Sequence, residues 1–193
     1  MKPKTQQKNT AQGVNIPDGW EVEWFEKSIV KIDYPPKILK KDFLESGKFP
    51  VISQEANFIN GYSNKENFLF KSKDPVVIFG DHTKILKWVD FDFILGADGV
   101  KILKPQKFLN SKYFYYFLES IDLDDLGYAR HYKLLKQIKI TYPKSLDEQK
   151  QIVKKLDELQ EKTRGLEAIL RSKIAELEKL KKSVLEKAFR GEL

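Results

Sequence analysis

The chain has 193 residues, 41% of them hydrophobic and 12% aromatic, enough to fill one sizeable core. Its formal charge of +7 favours a polyanionic partner, and the excess sits mainly before residue 145, where 23 Lys and Arg face 18 Asp and Glu. Without cysteine it has neither a disulfide framework nor a thiolate metal site, and no run approaches the roughly 18 apolar residues that span a bilayer, so a soluble cytoplasmic protein is expected.

Residues 1–15 read as a disordered basic tail, since "MKPKTQQKNTAQG" lacks the apolar core of a signal peptide. Residues 16–144 read as one mixed α and β domain. Short β-branched and aromatic runs bounded by Gly, Asn, Asp or Pro occur at 49–54, 67–70, 75–79, 85–89, 91–95 and 100–103, and are expected to form strands of one twisted sheet. Asn60-Gly61 reads as a tight turn between two of them. Helices are expected at Lys41 to Ser46 and at Ser111 to Ile121, where Tyr113, Phe114, Phe117 and Leu118 line one face.

After Pro143 aromatics, Gly and Pro give way to Leu, Ile, Glu and Lys. Ser145, followed by Asp147 and Glu148, is a helix start with acidic residues where the dipole favours them. A helix from there to Phe189 would be roughly 65 Å long if unbroken. Spacings of four and three pick out Ile152, Leu156, Leu159, Thr163, Leu166, Leu170, Lys173, Leu177, Leu180, Val184 and Lys187, eight of eleven apolar, which is a heptad seam. Ile169, Ile174, Leu185, Ala188 and Phe189 widen the stripe, as though a further surface is contacted. A helix packed on its own domain is the plainer alternative. Gly165 and Thr163 mark where a bend would cost least.

A search for reaction chemistry finds no glycine-rich phosphate loop and no Gly-x-Ser-x-Gly elbow. The two histidines, His82 and His131, lie far apart without cysteine partners, so no metal site is expected, and no cofactor. Pro17-Asp18 with Glu148-Gln149-Lys150 makes a nuclease-like set only on paper. Tyr34-Pro35-Pro36-Lys37 has the prolines of a methyltransferase motif without the Asn or Asp that would bind the target amine.

Three polar, turn-borne groups remain. Gln54, Asn57 and Asn60 form the first, Asp81, His82, Thr83 and Lys84 the second, and Tyr128, Arg130, His131, Tyr132 and Lys133 the third. Gln, Asn and Arg can bond base edges bidentately, while Lys, Tyr and Thr suit phosphate oxygens. The competing reading for each is an ordinary solvated loop, and for Asp81 with His82 a buttressed turn.

From Ile16 onward the order of elements resembles the DNA-specificity subunit of type I restriction-modification enzymes. "IPDGWEVEWFEKSI" looks like that family's opening strand, and "FPVISQEANFINGY" and "VIFGDHTKILKWVDFDFILGADGVKIL" resemble the sheet and loops of its target recognition domain. "YARHYKLLKQIKITYP", then "LDEQKQIVKKLDEL", then "LKKSVLEKAFRGEL" is similar to its passage into a long spacer helix. The resemblance implies an α+β fold: a mixed-sheet target recognition domain at 16–144, followed by a coiled-coil spacer and dimerisation helix at 145–193. It also implies a subunit without catalysis of its own. Such a subunit binds double-stranded DNA in the major groove and docks methyltransferase (modification) subunits, which a restriction (translocase and nuclease) subunit can join.

On this reading Gln54, Asn57, Asn60, Asp81, His82, Thr83, Lys84, Tyr128, Arg130, His131 and Lys133 contact DNA. Ile152, Leu156, Leu159, Leu166, Leu170, Leu177, Leu180 and Val184 form a dimer interface, and Lys154, Lys155, Glu158 and Arg171 offer a docking surface or simply a solvated face. Family members usually carry two recognition domains and two spacers, whereas this chain has one of each. A natural half subunit is expected, with a truncated or rearranged gene as the alternative. Two copies with antiparallel helices would read a bipartite palindrome. Two readings of other classes stay open: a DNA-binding nuclease with an unrecognised carboxylate site, and a helical protein-binding adaptor.

Overall fold

The computed structural model describes residues 16–192 apart from 98 and 128; the expected tail at 1–15 lies outside the described residues. The chain divides at Lys150–Gln151 into two compact units.

Among the described residues, the first unit is built on three sheets, not one. Strand β1 (Trp20–Trp24) pairs antiparallel with β10 (Lys139–Pro143), Trp20 lying opposite Pro143. The second sheet has the order β2-β9-β6-β7, formed by Ile29–Val30, Val100–Pro105, Val76–Gly80 and Leu86–Val89. The third has the order β4-β3-β8-β5, formed by Gly61–Ser63, Phe49–Ile52, Phe93–Leu95 and Leu69–Phe70, with β3 and β8 parallel. All pairs in the second sheet are antiparallel, so the strands expected from sequence are present but are divided between sheets.

The division follows from burial. Every residue of β6 is buried, as its unbroken apolar run requires of a central strand. Val76 and Ile78 on one face of β6 cluster with Val89, Val100 and Ile102 of the same sheet and with Ile52, Phe93 and Leu95 of the third, so the two sheets share a core. The alternate residues Val77 and Phe79 face the other way, toward the layer holding helices α2 (Ser111–Glu119) and α3 (Tyr132–Leu135). There Phe25, in the short turn of helix α1 (Phe25–Ser28), stacks on Phe114 with ring centres 6.2 Å apart and meets Tyr132 edge-on at 6.0 Å.

Helix α2 starts where Asn110 caps it, its Oδ1 accepting from the backbone N–H groups of Lys112 and Tyr113 at 3.0 Å each. The helix expected at 41–46 does not form. Only a 3-10 turn at Lys40–Asp42 appears, because Leu44 exchanges two backbone hydrogen bonds with Tyr62, at 2.9 and 2.8 Å, and is held extended. Asn60-Gly61 is likewise no two-residue turn: residues 53–60 form the whole connection between β3 and β4. The run at 67–70 splits into a 3-10 turn and the two residues of β5.

Helix α4 (Leu146–Phe189) begins one residue after Ser145, whose hydroxyl accepts from the Glu148 N–H, and continues through Gly165 without a break. Gln149 in its first turn is fully buried. Its Oε1 accepts from the Asn110 N–H at 2.7 Å, and its Nε2 donates to the carbonyls of Phe108 and Pro143 at 2.9 and 2.8 Å. One amide thus satisfies the approach to α2 and the end of β10 together.

Replacing Gln149 with Leu would remove the partner of three backbone groups, one at buried Pro143 and two at half-buried Phe108 and Asn110, so Q149L should lower unfolding stability by about 2–4 kcal/mol. The measurement is the urea midpoint at an unchanged m value. A shift no larger than that of the exposed Lys150→Ala control contradicts this role for Gln149.

Candidate nucleic-acid interface

The polar turn after β6 is built around a buried carboxylate. Asp81 is 2% exposed. Its backbone N–H donates to the Gly99 carbonyl at 2.6 Å, and its carbonyl accepts both the His131 backbone N–H at 2.8 Å and the ring Nδ1–H at 3.0 Å. Its side-chain Oδ1 accepts from the Tyr132 N–H at 2.8 Å. His131 is fully buried, and its Nε2 lies 3.1 Å from the Leu126 N–H and 3.6 Å from Asp125 Oδ1.

The same turn grips the loop between β3 and β4. Thr83 Oγ1 donates to the Gln54 carbonyl at 2.7 Å, and the His82 N–H donates to Gln54 Oε1 at 3.2 Å. Space at this crossing is tight enough to need glycine twice. A Cβ on Gly80 would collide with Thr83 Oγ1, and one on Gly99, whose φ is +68°, would stand 2.7 Å from His82 Cδ2. Lys84 closes the turn in the left-handed region at φ 59°, a conformation costly for a side chain. Its Nζ is anchored 3.3 Å from the Leu123 carbonyl.

Residues 53–60 are organised from beneath by Lys87, 4% exposed on β7. Its Nζ donates toward the carbonyls of Ser53 at 2.8 Å, Asn57 at 2.5 Å and Phe58 at 3.3 Å, and toward Asn60 Oδ1 at 3.1 Å. Burial pushes this ammonium down to about 8, while the nearby Glu55 carboxylate opposes that shift. Glu55 is itself held 2.6 Å from Lys40 Nζ. Asn60 fastens the loop to itself: Oδ1 also accepts the Ser53 N–H at 2.8 Å, and Nδ2 donates to the Asn57 carbonyl at 3.0 Å.

The structure therefore brings the three polar groups read from the sequence together, and sorts them by burial. Asp81 and His131, which are buried, and Asn60, which is half-buried, spend their polar atoms on bonds within the protein and hold the turns. Asn57, Thr83, Arg130 and Lys133 are exposed, and Gln54, His82 and Lys84 are half-buried. Tyr128 lies outside the described residues. Sequence reasoning missed three further groups. Lys87 was read only as part of a strand, although a lone lysine opposite Ile78 of a fully buried strand was a usable signal. Phe58 and Ile59, 45% and 37% exposed, stand beside Asn57 at the loop's crest. Lys101 and Lys136 place their ammonium groups 5.4 and 5.6 Å from the Tyr132 ring centre. Among the described residues no group of three or more His, Asp or Glu could hold a metal ion, and no helix is long and apolar enough to cross a membrane.

In the second unit, Leu159, Leu166, Leu170, Leu177, Leu180 and Val184 of the heptad seam are between 43% and 63% exposed. Ile169, Ile174, Leu185 and Phe189 are exposed as well, while Ile152 and Leu156 are half-buried. These residues form a stripe of large apolar side chains exposed along the helix.

Comparison with known proteins bears on both units. The profile of the family described as "Type I restriction modification DNA specificity domain" matches residues 17–179. The specificity subunit of the type I restriction enzyme EcoR124I/EcoR124II from Escherichia coli is 39% identical over 111 residues, covering 54% of this chain and 27% of that protein. A solved chain from a study of complex assembly and conformational transition of the type I R-M system superposes with a TM-score of 0.71 at 22% identity, covering 96% of this chain and 49% of the other. The HsdS subunit of Thermoanaerobacter tengcongensis gives a TM-score of 0.59 at 21% identity, covering 96% and 48%. The chain thus spans about half the length of these structures and about a quarter of that curated relative.

Enclosure of Lys87 has a consequence for stability. The folded chain sheds this proton near pH 8, whereas an unfolded lysine keeps it to its ordinary value of 10.5, so the unfolded state binds more protons in between and stability rises with pH there. The thermal midpoint of the wild type should therefore rise relative to that of Lys87→Met between pH 7.5 and about 9.5. Parallel curves across that window refute the assignment.

Proposed function

This chain belongs to the type I restriction modification DNA specificity family, and from that premise we propose that it reads DNA sequence for a type I restriction-modification assembly without catalysing a reaction itself. The observation that carries this reading is the convergence of the three polar turns through hydrogen bonds among Gln54, Asp81, His82, Thr83, His131 and Tyr132. Reading bases needs hydrogen-bonding groups held in fixed register, because a side chain that must be ordered on binding loses discrimination to entropy. Asp81, His131, Asn60 and Lys87 provide the fixing, and Gln54, Asn57, His82, Thr83, Lys84, Arg130 and Lys133 provide the groups to be fixed.

Arg130 is the base reader in this scheme, since its fork bonds the guanine edge bidentately, while Lys133 and Lys84 meet phosphate as point charges. The heptad seam buries itself against a second copy of the chain with the helices antiparallel. That arrangement places two recognition units about a two-fold axis, so the target is a bipartite palindrome. Modification subunits dock on the charged faces of the same helix, which carry Lys154, Lys155, Glu158 and Arg171, and a restriction subunit joins through them. The assembly operates in the cytoplasm, where its DNA is.

Three outcomes are expected. Light scattering on the full chain should find a dimer at micromolar concentration, and Leu170→Glu with Leu177→Glu should give a monomer. Methylation profiling with the partner methyltransferase should return a split palindromic motif; an asymmetric or absent motif contradicts the proposal. Arg130→Ala should relax one motif position at a cost of roughly 1–3 kcal/mol, whereas Lys133→Ala should weaken all sequences alike and flatten the salt dependence by about one counterion.

A further inference from the structure

The connection from β3 to β4 is eight residues long and crosses the surface, where a chain of that length ordinarily samples many conformations. Here it is closed around a cation. Three N–H groups of one ammonium serve four oxygens, drawn from residues 53, 57, 58 and 60, which covers the loop's beginning, crest and end. Turning the carbonyls of Ser53, Asn57 and Phe58 inward leaves exposed side chains on the crest: an amide at Asn57 and two large apolar groups at Phe58 and Ile59.

Burying a charge opposes folding unless its donors are satisfied, so an apolar residue at position 87 would be the simpler solution for a sheet alone. What the lysine supplies that an apolar residue cannot is a fixed shape for the loop. The charges around it fit that use. Strands β3, β6 and β8 carry no titratable side chain, and the neighbouring carboxylate, Glu55, is engaged by Lys40. The amide and the apolar pair it presents also form a coherent chemical set. An amide has a donor and an acceptor for a base edge, and apolar side chains meet the thymine methyl group in the major groove.

We propose that Lys87 is the positioning residue of a specificity loop, residues 53–60, and that its buried ammonium presents Asn57, Phe58 and Ile59 as one preorganised edge to duplex DNA. This rests on the reading of the chain as a DNA-specificity subunit. Lys87 touches no base in this scheme and acts through the loop.

The experiment has two arms, both on the full chain. In the first, amide hydrogen exchange is followed in the wild type, Lys87→Met and Asn60→Ala. The second variant opens the clasp from the loop side without altering β7, and so carries the test if K87M fails to fold. Protection of residues 53–60 should fall at least tenfold in both, with β6 and β9 unchanged. Unaltered protection of the loop overturns the proposal. In the second arm a randomised duplex DNA pool is passed over each protein. The wild type should enrich a motif, and the variants should lose about tenfold of that enrichment while retaining non-specific duplex equally well. General destabilisation would lower both kinds of binding together, so an equal loss contradicts a positioning role, as does an equally sharp motif. If the wild type itself enriches nothing, the reading of the chain as a DNA-specificity subunit falls, and the exchange arm still decides whether Lys87 holds the loop.

Discussion

Asp81 ties together three segments that are far apart in the chain, and the geometry of the candidate interface depends on it. Its amide reaches the bend before β9, its carbonyl receives both N–H groups of His131, and its carboxylate receives Tyr132. Because the carboxylate is buried, these bonds form in a low dielectric, where a satisfied polar group is strongly held and an unsatisfied one is strongly penalised. The turn after β6 is therefore cross-linked through Asp81 to the segments at Gly99 and at His131–Tyr132.

Lys87 and Gln149 extend the same principle to other places. Each is a polar side chain enclosed by the fold, and each bonds backbone groups that no sheet or helix ladder reaches. Among the described residues no buried side-chain nitrogen or oxygen lacks a partner. Loops that would be costly to order are thus held by bonds within the fold, which lowers the ordering cost that any ligand would have to meet. A family whose members are described as DNA-specificity domains has evident use for such an arrangement.

Much of this architecture was legible in the sequence. The apolar run at 76–80 is long enough to identify a central strand, the aromatic face of α2 repeats at helical spacing, and the heptads announce α4. Sheet membership was not legible, because β3 finds its parallel partner β8 across more than forty residues and local pattern carries no record of that pairing. The helix expected at 41–46 gave way to a bridge with Tyr62, a tertiary bond that overrides local propensity. The candidate-site residues stood out in the sequence as polar clusters, but which of them are buried and which exposed did not. Asp81 and His131 have the composition of a reading loop and the burial of a staple, and only the fold separates these. Lys87 looked like any strand lysine until the carbonyls around it were in view.

The central claim, that the loops at 53–60, 80–85 and 129–133 present one DNA-reading face, is tested most directly by photocrosslinking. Duplex DNA carrying 5-bromouracil is irradiated with the full chain, and the crosslinked peptides are mapped. The account predicts adducts at Asn57 to Ile59, at His82 or Thr83, and between Arg130 and Lys133. Adducts confined to residues 151–193, or spread evenly over the surface lysines, contradict it.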